Sequence, residues 1–192
     1  INELKKNSGG TSLNFRKRMS QSAFAETAYY DALISDYFNK ISNISFPQKK
    51  IIYGSLVEKL RYGENPHQES AIYSKSQNLG INKIHGKKLS YNNYNDIFAA
   101  LNISKTLPKN TGTVIIKHAN PCGVSSRKKL IDAYEKAFET DKTSAFGGVI
   151  AFNKDVDENL ARKIIDNQFV EIIISPSFSK ESLEIFKSKK DI

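Results

Sequence analysis

An apolar run, Val114-Ile115-Ile116, leads straight into Lys117-His118 and then into Ala119-Asn120-Pro121-Cys122-Gly123. An amine and an imidazole at the end of a buried strand cost free energy unless they are paired. Neighbours on a regular strand face opposite ways, so both reach one pocket only if the backbone is already leaving the strand at His118. The Asn-Pro-Cys-Gly turn permits that. An imidazole so placed is a candidate general base, and an ammonium beside it disfavours the protonated ring. Spacing alone leaves a second reading open, a histidine satisfied by backbone with Lys117 turned to solvent.

Two further segments carry residues suited to ligands. Ser144-Ala145-Phe146-Gly147-Gly148 precedes an apolar run, and paired glycines let a backbone approach a ligand closely or adopt positive φ. A plain tight turn is the commoner explanation, and neither GxGxxG nor GxxxxGK[ST] is present to strengthen a nucleotide reading. Arg61-Tyr62-Gly63-Glu64-Asn65-Pro66-His67-Gln68 offers a planar guanidinium suited to phosphate next to an aromatic ring, a weak signal taken alone. Pro121-Cys122 invites comparison with the zinc deaminases, whose signature pairs HxE with PCxxC. Position 125 is Ser125, and His67-Gln68-Glu69 lies more than fifty residues upstream, so no three-ligand zinc site is expected. Cys122 is read as a small turn residue and metal catalysis is not expected.

The elements that must hold these residues follow from periodicity. Phe15, Met19, Ala23, Tyr30, Ile34 and Phe38 recur at helical steps after a capping Ser12, and predict a helix ending near Asn39 whose apolar stripe packs into a core. Residues 1–12 read as loop, 39–50 as a connector, Ile51-Ile52-Tyr53 and 70–73 as short strands, and Tyr94–Thr106 as a helix stopped by Pro108. A regular alternation then begins: strands at 113–117, 148–152 and 170–174, and helices at 126–140, 157–167 and 180–187. Such alternation argues for an α/β fold with a mostly parallel sheet and flanking helices.

Composition narrows the function classes. The chain has 192 residues and a net charge of +9, but the excess is dispersed, with nine basic and five acidic residues in the first sixty. Arg16-Lys17-Arg18 and Arg127-Lys128-Lys129 are its longest basic clusters. A nucleic-acid partner would call for a contiguous basic face or a recognition motif, so none is expected; dispersed basic charge suits a solvated surface or phosphorylated small molecules. No run approaches the ~20 apolar residues of a membrane span. One cysteine is compatible with a reducing compartment such as the cytoplasm. The chain opens on Ile1 rather than Met and closes on Lys189-Lys190-Asp191-Ile192 directly after a helical pattern, and is read as part of a longer protein.

Four segments, LRYGENPHQ (Leu60–Gln68), GKKLSYNNYNDIFAA (Gly86–Ala100), IIKHANPCGV (Ile115–Val124) and SAFGGVIAFN (Ser144–Asn153), together resemble, in order and spacing, the bifunctional purine biosynthesis proteins. These join a formyltransferase acting on aminoimidazole carboxamide ribonucleotide (AICAR) to an IMP cyclohydrolase. The segment Thr11–Phe38 is similar to the helix closing the cyclohydrolase half of bacterial members. The resemblance implies that residues 1–50 are the end of the cyclohydrolase domain and a linker. Residues 51–192 would then be the N-terminal part of a transformylase domain with a cytidine-deaminase-like α/β fold lacking zinc. It implies 10-formyltetrahydrofolate as co-substrate and a homodimer whose partner subunit contributes to the site. By the same resemblance His118 is the general base and Lys117 its catalytic neighbour. Arg61 and Tyr62 hold the nucleotide, Gly147 supplies the Gly-rich contact, Glu171 an acidic nucleotide contact, and Asn120 support. The cyclohydrolase residues and the folate-site residues are expected outside this chain, which alone should be inactive. A basic nucleic-acid module and a non-catalytic scaffold are the alternative functions.

Overall fold

The computed structural model describes residues 1–76 and 78–189; Lys190, Asp191 and Ile192, on which part of the fragment reading rests, lie outside the described residues. The chain divides into two units, one of residues 1–57 and 73–79, the other of residues 58–72 and 80–192.

The first unit is dominated by a helix. After a short α1 (Asn2–Lys6), α2 runs over Leu13–Ile41, and the Ser12 side chain accepts the Phe15 N–H as expected for its cap. The expected burial of its stripe is not found: Met19, Tyr30, Ile34 and Phe38 are exposed, and Ala32 is the one buried residue of α2. Helical periodicity reports that a face is apolar; it does not say what covers it. Beside α2, the Tyr53 hydroxyl donates to Asp36 Oδ2 at 2.9 Å, and Lys75 sits 4.3 Å from the Tyr53 ring centroid. The Tyr53 hydrogen bond is the largest cause holding the Asp36 carboxyl below its ordinary range. Tyr53 thus lies in a loop rather than a strand; β1 (Ser55–Lys59) follows it and pairs with β2 (Ala71–Ser74).

The second unit carries the sheet. Helix α3 (Tyr91–Ser104) precedes β3 (Gly112–Lys117), β4 (Asn120–Ser126), α4 (Leu130–Thr140), α5 (Lys142–Ala145), β5 (Gly148–Phe152), α6 (Glu158–Asn167), β6 (Val170–Ile174) and α7 (Lys180–Lys187). The strand order is β4-β3-β5-β6. The α/β class is as expected, but the sheet is mixed rather than mostly parallel. β3 is antiparallel to both β4 and β5, and only β5 and β6 pair in parallel. The difference lies at 118–126. His118 and Ala119 have φ of 52° and 58°, the left-handed pair of a two-residue hairpin turn. The segment expected to be a turn and then a helix start is therefore strand β4, and the helix begins only at Leu130. Strands β4, β5 and β6 do run one way, linked by helices, so the alternation is genuine; β3 is the strand that opposes it.

The core explains the order. Ile115 and Ile150 pack with Tyr134, Leu160, Ile164 and Val170, joining α4 and α6 to one side of the sheet. The pleat turns Val114 and Ile116 to the other side. Helix α4 approaches β4 closely: a Cβ on Gly123 would stand 1.9 Å from the Ala137 carbonyl oxygen. Both partners are backbone, so neither yields cheaply. Gly123→Ala is expected to destabilise the full-length protein by about 3 kcal/mol. An unchanged urea midpoint would show that α4 does not seat on β4 this way.

Candidate active site

Antiparallel pairing decides which residues meet. Ile116 lies opposite Val149, so the last residue of β3, Lys117, reaches the start of β5 at Gly148 and Gly147 just before it. The Lys117 ammonium donates to the Phe146 carbonyl at 2.6 Å, and the Gly147 N–H donates to the Phe169 carbonyl at 2.8 Å. A parallel pair would have left these segments at opposite ends of the sheet. Gly147 has φ of 69°, a backbone state glycine enters without Cβ strain. The site therefore sits at the carboxyl end of β3 but the amino ends of β5 and β6.

Two β-bulges shape this edge. Between Ile115↔Gly123 and Ile116↔Pro121 the β4 strand holds one extra residue, Cys122. Between Gly148↔Val170 and Val149↔Ile172 the extra residue is Glu171. Bulges bend a strand and re-aim its side chains, and they gather near active sites. Cys122 is thus a bulge residue, not part of the turn; burial and then Asp141 push its thiol up, so it is not an activated nucleophile.

Helix α3 ties the remaining residues together. Its N-terminus is closed by a capping box between Ser90 and Asn93. Asn93 Nδ2 also donates to Glu171 Oε2 at 3.0 Å. One turn further on, Asp96 Oδ1 accepts the Ala119 N–H at 2.6 Å, bracing the turn that carries His118. In the first turn of the helix, Tyr91 N–H donates to the Tyr62 carbonyl and Asn92 Nδ2 to the Glu64 carbonyl, which fixes the Arg61–Glu64 loop to the same helix end. Within that loop the Arg61 guanidinium lies 4.8 Å from the Tyr62 ring centroid and 3.1 Å from its hydroxyl. Tyr94, buried on the inner face, donates to Glu58 Oε2 at 2.8 Å. Burial first, and then that hydrogen bond, push its hydroxyl up to about 12, so it remains a donor at neutral pH.

A pocket of about 770 Å³ opens here, with Arg61, Tyr62, Asn93, Phe169 and Glu171 in its wall and Ile97, Phe152 and Phe186 among its apolar lining. Arg61, Tyr62 and Glu171 share this pocket. Lys117, His118 and Gly147 are not in its wall, but hydrogen bonds through Asp96, Phe146 and Phe169 link them to residues that are on it or on its supporting helix. His118 is exposed and Lys117 half-buried. Asn120 folds back, its Nδ2 donating to the His118 carbonyl at 2.8 Å, and so braces the turn. Asn93 and Asp96 were not anticipated. The stretch Tyr91-Asn92-Asn93-Tyr94-Asn95-Asp96 is polar around its few apolar positions, and what these two side chains bind is 78 and 23 residues away in sequence. Chemically, the pocket offers a cationic and aromatic grip for a phosphate and ring and a carboxylate and amide for polar substituents, while outside its wall stand the tethered Lys117 ammonium and, on the adjoining turn, exposed His118.

Comparison with protein families matches residues 1–192 to the AICARFT/IMPCHase bienzyme family. A Bradyrhizobium diazoefficiens protein named bifunctional purine biosynthesis protein PurH is 44% identical over 100% of the chain, which covers 37% of that relative. Proteins of the same name from Listeria welshimeri and Bacillus subtilis are 43% and 41% identical, again over 100% of the chain and 38% of their own length. The chain thus spans little more than a third of the relatives it matches.

Proposed function

The chain belongs to the AICARFT/IMPCHase bienzyme family, and from that premise we propose that the protein carrying it transfers a formyl group from 10-formyltetrahydrofolate to AICAR and then closes the product to IMP, in de novo purine synthesis. Residues 1–50 are the end of the cyclohydrolase domain and a linker, and residues 51–192 the first part of a transformylase domain of cytidine-deaminase-like fold. The whole protein works in the cytoplasm as a homodimer, with the folate-site residues elsewhere in its sequence.

The transfer balances as follows. The 5-amino nitrogen of AICAR attacks the formyl carbon, forming the new C–N bond and a tetrahedral oxyanion. His118 accepts the proton that the nitrogen loses. The bond from the formyl carbon to N10 of the folate then breaks, and N10 takes up a proton as tetrahydrofolate leaves. Lys117 supplies an ammonium that favours the negative charge developing in the transition state. Arg61 and Tyr62 take the phosphate and ring end of the nucleotide, Glu171 accepts from its hydroxyls, and the Gly147 backbone lets the substrate approach closely. Asn120 supports the turn. The observation carrying this reading is the Lys117 ammonium donating to the Phe146 carbonyl at the sheet edge where exposed His118 begins the hairpin turn.

Titrating AICAR into the full-length protein tests the binding half of the proposal. Arg61→Ala removes a charge-assisted contact of roughly 1.5–3 kcal/mol, so Kd for AICAR should rise ~10–100-fold. A crystal of the complex should show the ligand touching Arg61 and Lys117. Equal affinity in the variant would refute the assignment.

A further inference from the structure

The turn that carries His118 is unusual for its shape. Two-residue hairpin loops with both residues at positive φ favour Asn-Gly or Asp-Gly, because other residues meet Cβ strain there. Here the two positions hold His118 and Ala119, at φ of 52° and 58°. Residues held in this region cost of order 1–3 kcal/mol each and persist only where their surroundings over-determine them. One such support is local, the Asn120 amide on the His118 carbonyl. The other is not local: the half-buried Asp96 carboxylate reaches from α3 to accept the Ala119 N–H at 2.6 Å.

The same helix end grips the pocket. Asn93, three residues before Asp96 and so on the same face, holds Glu171, while Tyr91 and Asn92 hold the Arg61–Glu64 loop. A rigid helix therefore fixes the interval between the nucleotide-gripping residues and the Lys117-His118 turn. We propose that Asp96 is a positioning residue for formyl transfer, acting through the Ala119 N–H to hold the left-handed turn that presents His118. This rests on the reading of the site as a transformylase centre. Asp96 itself touches neither substrate nor reacting atoms; its role is to keep the imidazole at the distance the bound amine requires.

The test uses the full-length protein, with transformylase and cyclohydrolase rates measured separately and the fold followed by circular dichroism melting. Loss of alignment by about 1 Å can cost ~10²-fold, so Asp96→Ala should lower transformylase kcat ~10–100-fold. KM for AICAR should stay within about 3-fold, because the grip on the nucleotide does not pass through Ala119. Cyclohydrolase activity should be unchanged. Asp96→Asn keeps an acceptor oxygen and should retain kcat to within about 3-fold. Adding Ala119→Gly to Asp96→Ala should recover at least about 3-fold in kcat, since glycine enters the left-handed region without the clamp. A purely structural role for Asp96 in α3 predicts no rescue from position 119. Unchanged kcat in Asp96→Ala, or an Asp96→Asn variant as poor as Asp96→Ala with no gain from Ala119→Gly, overturns the proposal. If His118→Ala abolishes transfer while Asp96→Ala does not, positioning alone fails; if neither changes transfer, the reading of the site fails with it.

Discussion

Replacing His118 by alanine in the full-length protein should lower formyl transfer by ~10²–10⁴, the range expected on losing a general base, while cyclohydrolase activity persists. The substitution changes two things at once. It removes the imidazole, and it asks alanine to hold a φ of 52°, which its Cβ resists. His118→Asn separates them, because asparagine tolerates the left-handed region and cannot serve as a base at neutral pH. Both variants should lose transfer to a similar extent, with AICAR affinity held by Arg61, Tyr62 and Glu171 at a separate part of the site. Activity surviving in His118→Asn would assign His118 a backbone role, since the turn and not the ring would then be what matters. Transfer unchanged in both would leave the chain a scaffold with the family's fold.

The relation between pattern and structure is sharpest around this residue. From β5 onward the strands and helices lie where hydrophobic periodicity puts them, to within a residue, because each is bounded by a cap or a polar break: Asp157 and Ser179 accept backbone N–H groups three residues on, opening α6 and α7. Strand direction was less legible. Direction depends on where the chain reverses, and the reversal is made by His118-Ala119, a pair with no turn signature, while the residues that do look like a turn, Asn120 to Gly123, are paired in β4. The error had consequences for the site. A parallel β3–β5 pair would separate Lys117 from Gly147; the antiparallel pair unites them. Lys117 and His118 stand out because polar groups at the end of an apolar run are chemically conspicuous, whereas Arg61 is a weak signal alone and gains its role from the resemblance of its segment. Asn93 and Asp96 do not stand out, since their significance lies in partners that only the fold supplies. The apolar stripe of α2 shows the converse, a pattern correctly read as a face but with exposed Met19, Tyr30 and Phe38 instead of a core.

Lys117 should prove nearly as sensitive as His118, and for a different reason. Its ammonium spends one N–H on the Phe146 carbonyl at 2.6 Å, which leaves two for the substrate side. Under the proposed mechanism that tether would orient the charge before the reaction begins, so that no reorganisation is needed as the oxyanion forms; preorganised donors of this kind contribute ~10²–10³ in kcat. Lys117→Met keeps the stem and removes the charge; kcat for transfer should fall by ~10²–10³ with a smaller change in KM for AICAR. Lys117→Arg tests whether charge alone suffices. A guanidinium is planar and longer, and it cannot donate to Phe146 and to a tetrahedral centre from the same point, so it should restore no more than about a tenth of the lost rate. The tether also bears on the neighbouring backbone. Phe146 precedes Gly147, whose N–H is held by Phe169 in the pocket wall, so Lys117→Met frees one side of a segment still fixed on the other. If Lys117→Arg matched the parent, only a diffuse positive potential would be needed there; if Lys117→Met did, the ammonium would be a strut for the Phe146 carbonyl, and the stabilising charge would have to come from another residue.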